Sequence, residues 1–211
     1  MGVSDFAKGT LRVLGWLLAL AAVALGILRY RFVDIITVGH NGMAPTIIAG
    51  DQVALWRGAK VETGDIALCV HPGDPGRYVL ARVMARAGQR IGTERGQLRI
   101  NGETVDTDLR DPKRFYDAVN RRTDRYLYAW EKLGNNEHPI FLKEQTTFVL
   151  PERPVRRSLF MLGDNRSYRG EDSRTYGEVD ESTCKGVVFM RLVPAPVQED
   201  DLDHGWLDLI R

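Results

Sequence analysis

The side chains able to do chemistry in this chain gather around one stretch, Val38-Gly39-His40-Asn41-Gly42-Met43-Ala44-Pro45-Thr46-Ile47-Ile48-Ala49-Gly50-Asp51. Its glycines at 39, 42 and 50 and its proline at 45 require at least one sharp turn. His40 supplies an imidazole, and a hydroxyl or thiol needs such a base beside it to become a nucleophile. Thr46 lies within the turn, Cys69 follows in the next apolar segment, and Ser167 and Ser173 come much later. A Ser173–His40 or Cys69–His40 pair is therefore a nucleophile–base constellation to test. The bland reading weighs against it, since a lone histidine near a turn is far more often a hydrogen-bonded or exposed side chain than a catalyst. Asp164, Arg166, Asp172 and Arg174 alternate in sign over a short span. They read as a structural network of ion pairs and turn hydrogen bonds.

Composition narrows the classes. A chain of 211 residues suffices for one domain with a core and a small subdomain. Lys plus Arg is 29 against 28 for Asp plus Glu, and a net charge of +1 gives no reason to invoke nucleic acid. Cys69 and Cys184 have no CxxC or His-rich company, so no metal site and no cofactor are expected. They read as two buried thiols. A disulfide between them would require a compartment outside the cytosol.

These groups need elements to position them. Val13 to Leu28 carries no charge and is bracketed by Arg12, Arg29 and Arg31. Crossing a hydrocarbon core takes roughly 20 residues, fewer when flanking arginines snorkel, so the run predicts an uncleaved membrane anchor. A cleaved signal peptide fits less well, because no Ala-x-Ala site closes the run. Charge bias between the flanks is too even to set its orientation. Phe32–Val38, Gln52–Trp56, Ile66–Val70, Tyr78–Met84, Leu159–Leu162 and Val187–Val193 read as strands. His71 to Gly76 reads as a loop, and Asn101-Gly102 as a tight hairpin. No strong helical pattern separates the strands, which favours a mainly β, antiparallel fold over alternating strands and helices. The charged segment 106–146 reads as an inserted cap with short strands at Tyr126–Trp130 and Ile140–Leu142. The expected organisation is 1–31 anchor, 32–105 first part of the β core, 106–146 cap, 147–193 second part of the core, and 194–211 tail.

Blocks in order and spacing resemble signal peptidase I, the membrane-bound serine endopeptidase that removes secretory signal peptides. They are Gly39 to Asp51, with Met43-Ala44-Pro45-Thr46 and Gly50-Asp51; Thr63-Gly64-Asp65-Ile66-Ala67-Leu68; Tyr78-Val79-Leu80-Ala81-Arg82-Val83 with Gly88; and Gly163-Asp164-Asn165-Arg166 with Asp172-Ser173-Arg174 and Gly177. The resemblance implies a signal-peptidase-like β fold behind one transmembrane helix. It places the N-terminus in the cytoplasm and the main domain on the outer side of the cytoplasmic (inner) membrane. Its substrates would be signal peptides or extended segments of secreted proteins. By the same resemblance Met43, Pro45, Arg82, Gly163, Asp164, Asn165, Arg166, Asp172, Ser173 and Arg174 shape the cleft. Val38, Gly39 and His40 would face Tyr78, Val79 and Leu80 across the substrate groove.

The departures fall on the chemistry. The nucleophile position is Gly42, the general-base position is Ala81, and the position whose hydroxyl helps stabilise the oxyanion in the Gram-negative type is His40. Ser167 to Glu171 is one residue longer than the usual spacer. A Ser–Lys dyad needs a hydroxyl beside a desolvated amine whose pKa has fallen from about 10.4. Glycine and alanine supply neither. The resulting expectation is a pseudoprotease that binds extended peptides. The alternatives are an active signal peptidase with a rewired or removed dyad, and a scaffold in a secretion or envelope complex. Restoring the nucleophile alone, Gly42→Ser, is expected to leave peptide binding nearly unchanged.

Overall fold

The structure, a computed structural model, describes residues 3–134, 136–143, 148–196, 202 and 205–210. The chain divides after Asp34 into a helical unit and a β unit. Helix α1, Val3–Phe32, contains no proline. Its Gly9–Phe32 portion, 24 residues whose most apolar 18-residue stretch has a mean hydropathy of 2.2, is long and apolar enough to cross a membrane. β-branched residues then take over, and β1 (Val33–Thr37) follows.

The β unit is built of antiparallel ladders. The strands after β1 are β2 (Gln52–Arg57), β3 (Ile66–His71), β4 (Asp74–Arg86), β5 (Arg90–Glu94), β6 (Gln97–Ile100), β7 (Glu103–Thr104), β8 (Asp106–Asp117), β9 (Arg122–Leu133) and β10 (Asn136–Leu142). They continue with β11 (Arg153–Pro154), β12 (Leu159–Leu162), β13 (Gly186–Val193) and β14 (Asp208–Leu209), with the short helix α2 (Ser173–Tyr176) after β12. The main sheet runs β1-β2-β13-β3-β4-β12, with β14 added against β13. A second sheet runs β11-β5-β6-β7 and a third β10-β9-β8. One apolar cluster (Val38, Met43, Ile47, Val53, Val79, Ala81) fills the main sheet. Another joins β4 and β12 to the second sheet through Met84, Phe160, Ile91 and Leu98. A third packs Phe115, Tyr126 and Phe141 of the third sheet on Ala44 and Ile48 of the turn-rich stretch.

Several expectations are altered. Asn101 and Gly102 do make the tight turn between β6 and β7, with φ of 52° and 84°, the left-handed pair a two-residue hairpin demands. The expected loop His71–Gly76 is shorter, since β4 already begins at Asp74. The segment read as a cap with two short strands also contains β8, paired with β9 over nearly its whole length. Its register slips between Arg110 and Lys113, where Asp111-Pro112 sit, because a proline cannot donate to the ladder. Cys69 and Cys184 are joined in a disulfide, which corrects the reading as free thiols. The tail contributes β14, which sequence patterning did not anticipate. The expected boundary between the cap and the second part of the core, at 146 and 147, lies outside the described residues.

Candidate functional site

The turn-rich stretch folds as a closed loop because its own polar groups tie it at both ends. The Val38 amide donates to the Asp51 carbonyl at 2.9 Å, and the Gly50 amide to Val38 at 2.8 Å. The Asp51 carboxylate accepts from the Ile48 amide at 3.0 Å, the Ala195 amide at 2.7 Å and Arg191 Nε at 3.1 Å. Between these ends, Asn41–Met43 form a single 3-10 turn, and the Ala44–Pro45 bond is cis. Asn41 donates to Asp117 Oδ1 at 2.7 Å and accepts from the Ala49 amide at 2.8 Å, pinning the turn to the third sheet.

Gly42 is buried at the centre of the turn. Its carbonyl accepts from the Asn165 amide at 3.0 Å. A Cβ on Gly163 would stand 2.4 Å from that carbonyl, so glycine is required at 163 for the two segments to meet. On its amide side, the Gly42 N–H donates to His40 Nδ1 at 3.0 Å. A Cβ at 42 would come within 2.8 Å of His40 Nδ1 and 3.0 Å of Cε1. The imidazole therefore occupies the space that a side chain at the nucleophile position would need. An Nδ1 that accepts must carry no proton, so the neutral ring holds its hydrogen on Nε2.

Other groups hold that ring. Tyr168 lies nearly parallel to it, centroids 6.1 Å apart at 17°. Glu171 approaches Gly42 on the same side, its Cβ 3.6 Å from where a Gly42 Cβ would lie. The Glu171 carboxylate is 3.3 Å from Arg77 Nη2 on β4. Burial lowers the pKa of His40; the Glu171 charge raises it, the Arg77 charge lowers it, and the net direction is down.

The general-base position is closed in a different way. Ala81 pairs with Ala67 across the main sheet and has no exposed surface. Arg82, next to it, points elsewhere: Nε and Nη2 hold Asp164 at 2.9 and 2.7 Å, and Nη1 donates to the Gly64 carbonyl at 2.7 Å. Asp164 also accepts from Thr46 Oγ1, so Thr46 is engaged in fixing the loop. Asp172 caps α2 by accepting from the Arg174 amide, and it receives the Gly163 amide at 3.2 Å and the Arg174 guanidinium. Arg174 in turn donates to the carbonyls of Arg166 and Tyr168. Of the four residues expected to form a network, Asp172 and Arg174 pair with each other, while Asp164 pairs with Arg82 and Arg166 with Glu131.

The alternative nucleophiles are engaged elsewhere. Ser173 is fully buried, and its Oγ accepts from the Met161 amide at 2.9 Å. Ser167 Oγ accepts from the Lys143 amide at 2.7 Å. Cys69 is in the disulfide. None of them is paired with His40 among the described residues.

The groove residues separate into two kinds. Val38 and Val79 point into the core, and Leu80 is only 5% exposed in the same cluster. Gly39 and Tyr78 are exposed, Tyr78 at 52%. Along Tyr78–Ala81, β4 is paired on one edge by β3, while β12 begins its pairing only at Arg82. β1 is the last strand at the opposite end of the main sheet. The outer edge of β4 at Tyr78–Ala81 is free of a further strand among the described residues.

Sequence reasoning missed Arg77, Tyr168 and Glu171, although the extended spacer Ser167–Glu171 marked the right segment. It also missed a buried charge cluster. Arg166 grips Glu131 of β9 with both Nη atoms, Nη1 at 2.6 Å from Oε1. His138 of β10 is fully buried, 3.5 Å from Glu131 and 3.9 Å from Asp164. Burial works to raise the Glu131 pKa, yet Arg166 and His138 bring it down to about 2. Burial and then the Arg82 charge lower the pKa of His138. Nothing in the charged 106–146 segment singled out these two residues.

Comparison with known proteins bears on this arrangement. The family described as signal peptidase, peptidase S26, matches residues 11–193. A signal peptidase I from Enterococcus faecalis is similar in structure, with 23% identity and a TM-score of 0.36, over 61% of this chain and 97% of that one. No curated protein matches.

Proposed function

Since the chain belongs to the signal peptidase family, peptidase S26, we propose that it is a membrane-anchored pseudoprotease that holds signal-peptide-like or other extended segments without cutting them. The observation that carries this reading is the His40 ring, seated on the Gly42 amide where a nucleophile's side chain would stand. In serine hydrolases the amide of the nucleophile residue commonly serves the oxyanion hole. Here that donor already has an acceptor. With neither hydroxyl at 42 nor amine at 81, the site lacks nucleophile, base and a free oxyanion donor together. What remains suits binding. The edge of β4 along Tyr78–Ala81, not covered by a further strand among the described residues, is what an extended peptide uses when it adds a strand to a sheet edge.

The same reading assigns α1 as the anchor and puts the β unit on the outer side of the cytoplasmic membrane. The Cys69–Cys184 disulfide supports that side, because such bonds persist in oxidising compartments. The third sheet is the inserted cap in this scheme, tied to the loop through Asn41–Asp117 and to the segment after β12 through Arg166–Glu131.

The test uses the purified full-length chain in detergent with a secretory precursor and a serine-directed acylating inhibitor. Neither cleavage nor acylation is expected. Stoichiometric acylation of any hydroxyl would overturn the inactive reading and locate the substitute nucleophile. For binding, a charge at Leu80 is a poor probe, because it would bury an unpaired charge in the core and unfold the strand. Tyr78→Glu on the exposed face is the better one. Weakened binding of a peptide with small residues ahead of the former cleavage point supports the groove at β4.

A further inference from the structure

We propose that His40 acts as a built-in plug of the groove, which acid lifts: protonating the ring frees the Gly42 amide for an incoming peptide carbonyl and tightens peptide binding. This rests on the peptide-groove reading above.

The geometry requires a neutral ring. Nδ1 accepts from the Gly42 amide at 3.0 Å. Protonation turns Nδ1 into a donor, so two N–H groups would then face each other and the bond is lost. The charged and titratable groups around the ring favour movement rather than adaptation in place. Tyr168 lies over its face. Glu171 is the nearby carboxylate, and it is shared with Arg77 from β4. An imidazolium is drawn toward Glu171 and competes with Arg77 for it, whereas staying on the Gly42 amide keeps it donor to donor. Desolvation holds the ring neutral at neutral pH, so the plug is in place there and is lifted on acidification.

Two consequences follow for a ligand. At neutral pH a peptide can pair with the β4 edge but cannot place a carbonyl on the Gly42 N–H without displacing the ring. In acid it gains that hydrogen bond, and the space the ring occupied opens beside it. One such bond corresponds to about tenfold in affinity.

The experiment uses the full-length protein in detergent micelles and a fluorescent synthetic peptide with an apolar stretch followed by Ala-x-Ala. Affinity is measured from about pH 7.5 downward, through the ordinary imidazole value of about 6.5, to the pH at which the wild-type Gly42 amide reports a protonated ring, for wild type and for His40→Ala. Wild-type affinity is expected to rise about tenfold on acidification. His40→Ala is expected to bind at the acid-state level throughout. A second readout, the Gly42 amide resonance under selective glycine labelling, is independent of peptide and is expected to shift as the His40 ring titrates. Wild-type binding that is flat with pH, or the same acid response in His40→Ala, overturns the plug while leaving the groove standing. No binding by either protein, with a Gly42 amide that does titrate, overturns the groove reading and the gain of affinity built on it but keeps the contact. A Gly42 amide indifferent to His40 titration overturns the proposal whatever the peptide does.

Discussion

At Gly42 an added carbon would meet the His40 ring at 2.8 Å and 3.0 Å before anything else. That changes the expectation for Gly42→Ser, which looked innocuous from the sequence alone. The neighbour that must yield is a side chain, so the backbone can stay, but the Gly42–Nδ1 bond and the contact with Tyr168 are lost. Gly42→Ala is expected to destabilise the protein by about 1–2 kcal/mol. The loss should shrink toward zero in a His40→Ala background, giving a positive coupling in a double-mutant cycle followed by thermal unfolding. Equal losses in both backgrounds would mean that the two residues do not compete for the space. The identities at 40, 42 and 81 were legible because each sits in a compact block. Their coupling was not, because it depends on where one ring turns and on Glu171 and Arg77, which come from distant segments.

The third sheet carries a pH dependence of its own. It is held to the segment after β12 by main-chain bonds, Phe141 N–H to Asp164 O and Arg166 N–H to Phe141 O, each at 2.9 Å. A further tie is the buried pair Arg166–Glu131, with His138 beside it. The His138 pKa is lowered in the fold, so the unfolded chain binds more protons as pH falls through its ordinary value of about 6.5, and stability declines from there downward. Glu131, held at about 2 against 4.5, adds stability that is present above its unfolded value and is lost as pH falls from about 4.5 toward 2. Thermal melts of wild type should therefore fall in two steps. His138→Gln should shrink the upper step to the share that His40 contributes, and should weaken the lower one, because His138 helps to bring Glu131 down; an unchanged upper step would assign it to another group. The two-residue hairpin and the main-sheet strands were legible because alternation and Asn-Gly are local signals. β8 was not, since it is mostly exposed, heavily charged and interrupted by Asp111-Pro112. Pairing with β9 decides it, against local composition.

At the scale of the molecule, the uncharged run announced α1 plainly, because a spanning segment is defined by length and apolarity alone. The disulfide was illegible for the opposite reason. Cys69 and Cys184 are 115 residues apart, and only the pairing of β3 with β13, closed by the Lys185 N–H to Leu68 O bond at 2.7 Å, brings them together. Such a crosslink across a long loop restricts the unfolded chain, and reducing it is expected to cost about 2–5 kcal/mol. Anchor and disulfide together give a prediction about sidedness that neither gives alone. If α1 spans the membrane with its N-terminus in the cytoplasm, everything after it folds where the bond can form and persist. Reporters fused after Arg57 and at the C-terminus should then both report from the outer side. In the same cells Cys69 and Cys184 should resist thiol alkylation until a reductant is added. Cytoplasmic reporting from both fusions, or cysteines that are alkylated without reduction in the folded chain, would reverse the orientation. It would also remove secreted segments from the ligands this groove could meet.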